Sequence, residues 1–230
     1  MAGSDVVIHY GSSRDAAETT AEQLAAEYGV AASTAQADLS DADAIERLFA
    51  AVGERSGRLD VLVNSAARFD SGALTEFDAQ RWDRVQAVNV RAPHLCLRSA
   101  TPLLNAAAEA SGRPSSVVNI ADMSGVVPWR GYGVHGASKA ALLHLTRSAA
   151  LELAPGVRVN AIVPGAILPP AGESEASESW QSVGERVPMG EPGSPEDVGE
   201  AVVFLAGARF VTGEVLFVDG GEHLFGSTKR

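Results

Sequence analysis

A single α/β domain around a doubly wound parallel sheet is the architecture this chain calls for, on three grounds. Short apolar runs alternate with amphipathic stretches from one end to the other, and strands separated by helices demand right-handed crossovers between parallel neighbours. At 230 residues and 46% hydrophobic content, the chain supports one sizeable core rather than two. No internal repeat divides it.

The first strand is expected at 6–10, where VVIHY is apolar and largely β-branched. Buried-strand runs follow at 31–37, 61–64, 116–120, 157–163 and 215–218. Each is short and continuous, as a strand covered on both faces must be. Helical periodicity fills the intervals at 13–28, 41–55, 79–108, 135–152 and 195–206. Ser40 and Ser194 stand where a side-chain oxygen would cap the second and last of these helices. Between the last two strands lies an insertion rich in Pro, Gly, Ser and Glu, 166–194, expected to form a lid with a short helix at about 177–186. Ligands of such sheets bind beyond the carboxyl ends of the strands, where this segment emerges.

The net charge of −11 argues against a nucleic-acid surface, which needs clustered Lys and Arg to neutralise phosphates. A small-molecule ligand fits better. The single cysteine, Cys96, makes no internal disulfide and suits a reducing cytoplasm; it reads as a buried small apolar residue. No apolar run reaches the roughly 18 residues of a membrane span. His9, His94 and His223 lack metal-ligand spacing, so no metal site is expected. His144 reads as a packed helix residue, and Trp82, Trp129 and Trp180 as core or lid contacts.

An ordered set of motifs carries the chemistry: ADLSD with Asp38, DVLVNSAA with Asn64, VQAVNVRAP with Asn89, VVNIADMSG with Asp122, HGASKAA with Lys139, VNAIVPGAIL with Pro164 and Gly165, and RFVTGEVLFVDGG. From Asp5 to about Gly221 the chain resembles the short-chain dehydrogenase/reductase family, and within it the pteridine-reductase-like branch, which also carries an aspartate where Asp122 stands. The resemblance implies one Rossmann-like domain over 1–230. It implies further that Asp38 and Leu39 flank an adenine, that Asn64 and Ala66 line a cofactor groove, and that Pro164 with Gly165 holds a nicotinamide carboxamide. Asn89 would be the family's water-organising helix residue. Ser12, Ser13 and Arg14 would read a ribose 2′-phosphate: hydroxyls plus a guanidinium suit a phosphate where NAD selection would place a carboxylate, so NADPH is the implied cofactor. Ser12 or Ser13 capping the following helix is the alternative.

Two departures from the family stand out. His135 sits four residues before Lys139, where the family has the tyrosine that donates the proton. The pair shares one helix face. An imidazole works as acid or base near neutral pH, but it is shorter than a phenol and stands beside a cation, so inefficient reduction is expected. Tyr132, three residues upstream, is expected to aim elsewhere. The second departure is at the start, where MAGSDVVIHY aligns with the tail of the family's first helix and the strand after it. The chain is therefore expected to lack the family's first strand and glycine-rich loop, with NADPH binding weakened, or else Met1 is an internal methionine. Strands 6–10 and 61–64 would then pair directly or take cover from another chain.

Three functions follow as expectations. The first is a degenerate reductase serving as a subunit of a homo-oligomer, dimer or tetramer, or of a hetero-oligomer with an intact paralogue, assembled through helices 79–108 and 135–152 with Leu95, Leu97, Leu142 and Leu145 on their apolar faces. The second is an active NADPH-dependent reductase of a pterin, imine or carbonyl. The third is a non-redox acid/base catalyst using Asp122, His135 and Lys139.

Overall fold

The computed structural model describes residues 3–169, 172, 174 and 176–224. Strands β1 (Val6–Tyr10), β2 (Ala32–Gln36), β3 (Val61–Asn64), β4 (Ser115–Ile120), β5 (Val157–Pro164) and β6 (Val215–Val218) alternate with helices α1 (Arg14–Tyr28), α2 (Ala42–Ser56), α3 (Ala79–Gln86), α4 (Ala92–Ser111), α5 (Gly133–Leu153), α6 (Glu178–Gln181) and α7 (Pro195–Gly207). All pairings are parallel, as the alternation requires.

The single sheet expected from the sequence is divided. Among the described residues, β1 pairs only with β2, while β3, β4, β5 and β6 form a four-stranded sheet in that order. Direct pairing of β1 with β3 does not occur there. Burial follows the division. β4 and β5 are buried along nearly their whole length, whereas Val7 on β1 and Val63 on β3 are each 40% exposed.

The core lies on both faces of the four-stranded sheet. Val117 and Val159 pack with Ile45, Phe49, Leu104 and Ala150 from α2, α4 and α5. Val118 and Ile162, one residue out of phase, pack with Ala201 and Leu205 of α7. Each such large apolar side chain contributes about 1.5–3 kcal/mol on burial. Cys96 lies in the first cluster, where burial pushes its thiol up to about 12.

Helix ends show which capping signals operate. Ser194 caps α7 in a reciprocal box with Asp197, as expected. Ser40 does not cap α2: Asp41 does, accepting from Asp43 N at 2.9 Å, and Ser40 donates to Asp38 instead. The helix expected at 79–108 is interrupted by a π-turn at Ala87–Arg91. Arg158 of β5 is buried and donates to the carbonyls of Leu205 and Ala206, both at 2.7 Å, closing the C-terminal end of α7. Residues 178–186 are helical, capped by Ser177 and close to the expected 177–186, and Trp180, Val183 and Val187 form a small cluster against Ala166. Trp129 packs beside Met123 and Leu143. Trp82, however, is 40% exposed, and His144 lies on the exposed side of α5 rather than packed. Among the described residues, no helix is long and apolar enough to cross a membrane.

Candidate active site

Asp122, His135, Lys139 and Asn89, picked out by sequence from three separate motifs, meet at the carboxyl end of β4. Asp122 follows that strand and caps the short turn Met123–Gly125, its Oδ1 accepting from Ser124 N at 2.7 Å. The turn lies directly on α5, and glycines make this possible. A Cβ at Gly136 would meet Ser124 O at 2.5 Å, and one at Gly125 would meet the Lys139 backbone at 2.9 Å. The first two turns of α5 thereby hold His135 and Lys139 against Asp122. His135 Nε2 stands 3.9 Å from Asp122 Oδ1.

Asn89 reaches the site from the π-turn, a local widening often found at functional positions. Its Oδ1 accepts from Arg68 N at 2.7 Å, and its Nδ2 donates to Arg68 O and to Ser138 Oγ, both at 3.0 Å. One buried amide therefore ties the segment after β3 to α5. His135 Nδ1 adds a bond to Arg68 O at 3.1 Å. The imidazole is 1% exposed, and Nε2 is buried with no hydrogen-bond partner. Phe69 meets the ring edge-on, with centroids 4.6 Å apart, and Tyr132 lies beside Phe69 at 4.9 Å.

Charge in the site is set by competing influences. Burial works against ionisation of Asp122, but His135 and the Ser124 hydroxyl and amide outweigh it and hold the carboxyl below its ordinary range. Burial lowers Lys139 to about 8, opposed by the charge of Asp122. Its Nζ donates to Ile120 O at 2.8 Å.

The residues expected to bind a cofactor sit at strand ends. Pro164 ends β5, and Gly165 N donates to Val218 O at 3.0 Å; a Cβ there would meet Asp219 at 2.8 Å. Asn64 ends β3 and donates to Asn119 Oδ1 at 2.8 Å, and Ala66 is exposed just beyond it. Ser12, Ser13 and Arg14 are exposed where β1 gives way to α1. Ser13 occupies the cap position but its side chain makes no capping bond, and Arg14 pairs with Glu18 on the surface at 3.2 Å. An uncommitted hydroxyl and a guanidinium at the start of a 15-residue helix fit a phosphate monoester. Asp38 turns its carboxylate onto Ser40 N and Oγ, both at 2.8 Å, and the two bonds keep its pKa low. Leu39 packs partly into the core beside α2.

Sequence reasoning missed Arg68 and Ser138. Arg68 acts through its backbone, which no side-chain pattern reveals. Ser138 carried a usable signal, its position one turn after His135 on the same helix.

Comparison with known proteins identifies the family. The family model described as Enoyl-(Acyl carrier protein) reductase matches residues 1–223. The chain is 32% identical to 3-oxoacyl-[acyl-carrier-protein] reductase FabG of Staphylococcus aureus, over 96% of this chain and 89% of that protein. It is 35% identical to 3beta-hydroxysteroid dehydrogenase 1 of Eggerthella lenta, over 97% and 85%. Among solved structures, the Pseudomonas aeruginosa RhlG/NADP active-site complex superposes with a TM-score of 0.85 at 34% identity, over 95% of this chain and 86% of that one. A blue fluorescent protein from a metagenomic library, in complex with NADPH, gives 0.83 at 30%, over 96% and 88%. The ordered motifs, the parallel sheets and these relatives lead to one conclusion: the chain belongs to the short-chain dehydrogenase/reductase family.

Proposed function

We propose that this chain is a pteridine-reductase-like member of the family whose own NADPH-dependent turnover is impaired. It serves as a subunit of a homo-oligomer, dimer or tetramer, or of a hetero-oligomer with an intact paralogue, and holds a small molecule beside Asp122. The observation that carries this reading is the state of His135. Its Nδ1 faces the carbonyl of Arg68 at 3.1 Å, and its buried Nε2 faces the Asp122 carboxylate at 3.9 Å. Both ring nitrogens are directed at acceptors of the protein itself, so the imidazole is poorly placed to hand a proton to a substrate.

Ser12, Ser13 and Arg14 would hold the 2′-phosphate of NADPH, with Asp38, Leu39, Asn64, Ala66, Pro164 and Gly165 along the remainder of the cofactor. When bound, that cofactor supplies a hydride. The protein's part is a proton delivered to the substrate atom, and here His135 would have to leave its contact with Arg68 O or Asp122 before donating. Asn89 keeps Arg68 O fixed and so keeps the ring in this orientation. Lys139 contributes positive charge below the site while donating to Ile120 O. Assembly is supported by an open hollow on the outer face of α3, α4 and α5, lined by Asp83, Gln86, Val90, His94 and Leu145. The leucines first assigned to that face fit differently: Leu142 is buried, and Leu95 and Leu97 pack against the core.

The test is restoration of a phenol. His135→Tyr is expected to raise kcat/KM for NADPH-dependent reduction of a carbonyl or imine panel by about 100-fold or more, the usual weight of a positioned general acid. NADPH affinity, followed by cofactor fluorescence, should stay the same. Equal turnover by the unsubstituted chain would overturn the reading in favour of an active reductase. A second reading, non-redox proton transfer, is favoured by an imidazole and a low-pKa carboxylate standing 3.9 Å apart in a buried site. Turnover without nucleotide that Asp122→Ala abolishes would establish it.

A further inference from the structure

We infer that Asp70 is a positioning residue for the site: shared by Arg68 and Arg81, its carboxylate clasps the segment after β3 to α3 and so fixes where Arg68 O and the Phe69 ring meet His135. The consequence for turnover rests on the reading of the His135 pocket as the reacting site; the placement of the two groups does not.

The segment between β3 and α3 reaches the site through few atoms. Arg68 makes its contact with the main chain, the N–H donating to Asn89 Oδ1 and the carbonyl facing Asn89 Nδ2 and His135 Nδ1. Phe69 adds one ring, edge-on to the imidazole with centroids 4.6 Å apart. Further along, Gly72 N donates to Gly131 O at 2.8 Å, which ties the segment to the turn just before α5. Phe69, Asp70 and Ser71 stand between these two anchors, and ordering them costs conformational entropy that some interaction must offset.

Hydrophobic burial does not supply it. Phe69 is 57% exposed, while the side chain of Asp70 is only 16% exposed. The phenyl lies outside and the carboxylate inside, the reverse of the ordinary preference. What Asp70 meets there is charge: its Oδ1 lies 3.2 Å from Arg68 Nε and its Oδ2 3.6 Å from Arg81 Nε. Arg81 is itself held in place, its guanidinium 4.0 Å over the Phe77 ring and bonded to Ser71 O. Gly72 allows the backbone to wrap that guanidinium closely, since a Cβ there would stand 3.1 Å from Nη1. Asp70 joins this enclosed arginine of α3 to Arg68, the residue whose carbonyl faces the imidazole. One carboxylate between two guanidiniums is restrained from two directions, which an isolated exposed pair is not.

The experiment uses the full chain, unliganded, and follows amide hydrogen exchange and the ¹⁵N signals of the histidine rings. Asp70→Asn should speed exchange of the Arg68 and Gly72 amides about 5-fold, the weight of a partly exposed ion-pair contact, and should displace the His135 ring signals. Asp70→Glu, which keeps the charge, should restore both. Ile162→Val, a core change on the α7 face of comparable stability cost, should leave both in place. Arg68→Gln removes the same contact from its other side while keeping the Arg68 main chain, and decides the matter if Asp70→Asn does not fold. Unmoved His135 signals in these variants, or equal effects from Ile162→Val, would overturn the inference. No gain of reduction in His135→Tyr would remove the reductase reading alone, because exchange and ring signals need no substrate. Where that gain appears, Asp70→Asn in the same background should lower kcat about 5-fold with the KM for NADPH unchanged, and an undiminished kcat would count against Asp70 alone.

Discussion

His135, Lys139 and Asp122 were legible as a group because helical spacing and an ordered motif set put them together, and the structure places His135 Nε2 within 3.9 Å of Asp122. What stayed hidden was the partner of the imidazole. Arg68 enters through a backbone carbonyl, and a carbonyl has no signature in a sequence. Lys139 offers a direct test of the burial that the structure gives it. The folded protein holds its pKa near 8 against an ordinary 10.5, so the unfolded chain takes up this proton more readily between those values. The resulting penalty is absent above about 10.5, grows as pH falls toward 8, and is constant below. In Lys139→Met the penalty is gone at every pH. The stability of the variant relative to the unsubstituted chain should therefore rise by about 3 kcal/mol between pH 10.5 and pH 7. Urea unfolding at the two pH values measures it, and a difference independent of pH would show that Lys139 is better solvated than its burial implies.

Among the secondary-structure elements, strands and helix ends were readable where a single local force decides them. Ser194 with Asp197 makes the expected box, since Pro195 and the following carboxylates leave no competing cap. Ser40 lost its place to Asp41, whose carboxylate accepts more strongly from the first turn. The helix expected over 79–108 concealed its interruption, because one extra residue in a turn shifts the apolar stripe too little to be seen in sequence. The contact between the Asp122 turn and α5 was equally invisible, since it depends on two hydrogens of glycine. Gly136→Ala tests it. A methyl group 2.5 Å from Ser124 O must push the turn away from the helix. The expected loss is about 1–3 kcal/mol of stability, read by thermal or urea unfolding, with the His135 ring signals displaced. Unchanged stability would mean that the turn and helix move apart freely.

The molecule as a whole was foreseen as α/β with parallel pairing, and that much follows from alternation alone. Its division into a two-stranded and a four-stranded sheet did not, because strand runs in a sequence announce their existence and not their neighbours. The division separates regions of unequal burial. β4 and β5 run through the densest packing, while Val7 and Val63 lie 40% exposed on strands that are paired on one side only among the described residues. Unpaired, apolar strand edges are templates for other chains. The net charge of −11 keeps copies apart at a distance, but it does not shield main-chain groups at contact range in salt. Val7→Lys is accordingly expected to slow light-scattering growth in concentrated solution while altering stability by no more than about 0.5 kcal/mol. An unaltered rate would place the sticky surface elsewhere. If Val7→Lys slows that growth, the two short edges beside the division, rather than the overall acidity, set how readily copies of the protein coalesce.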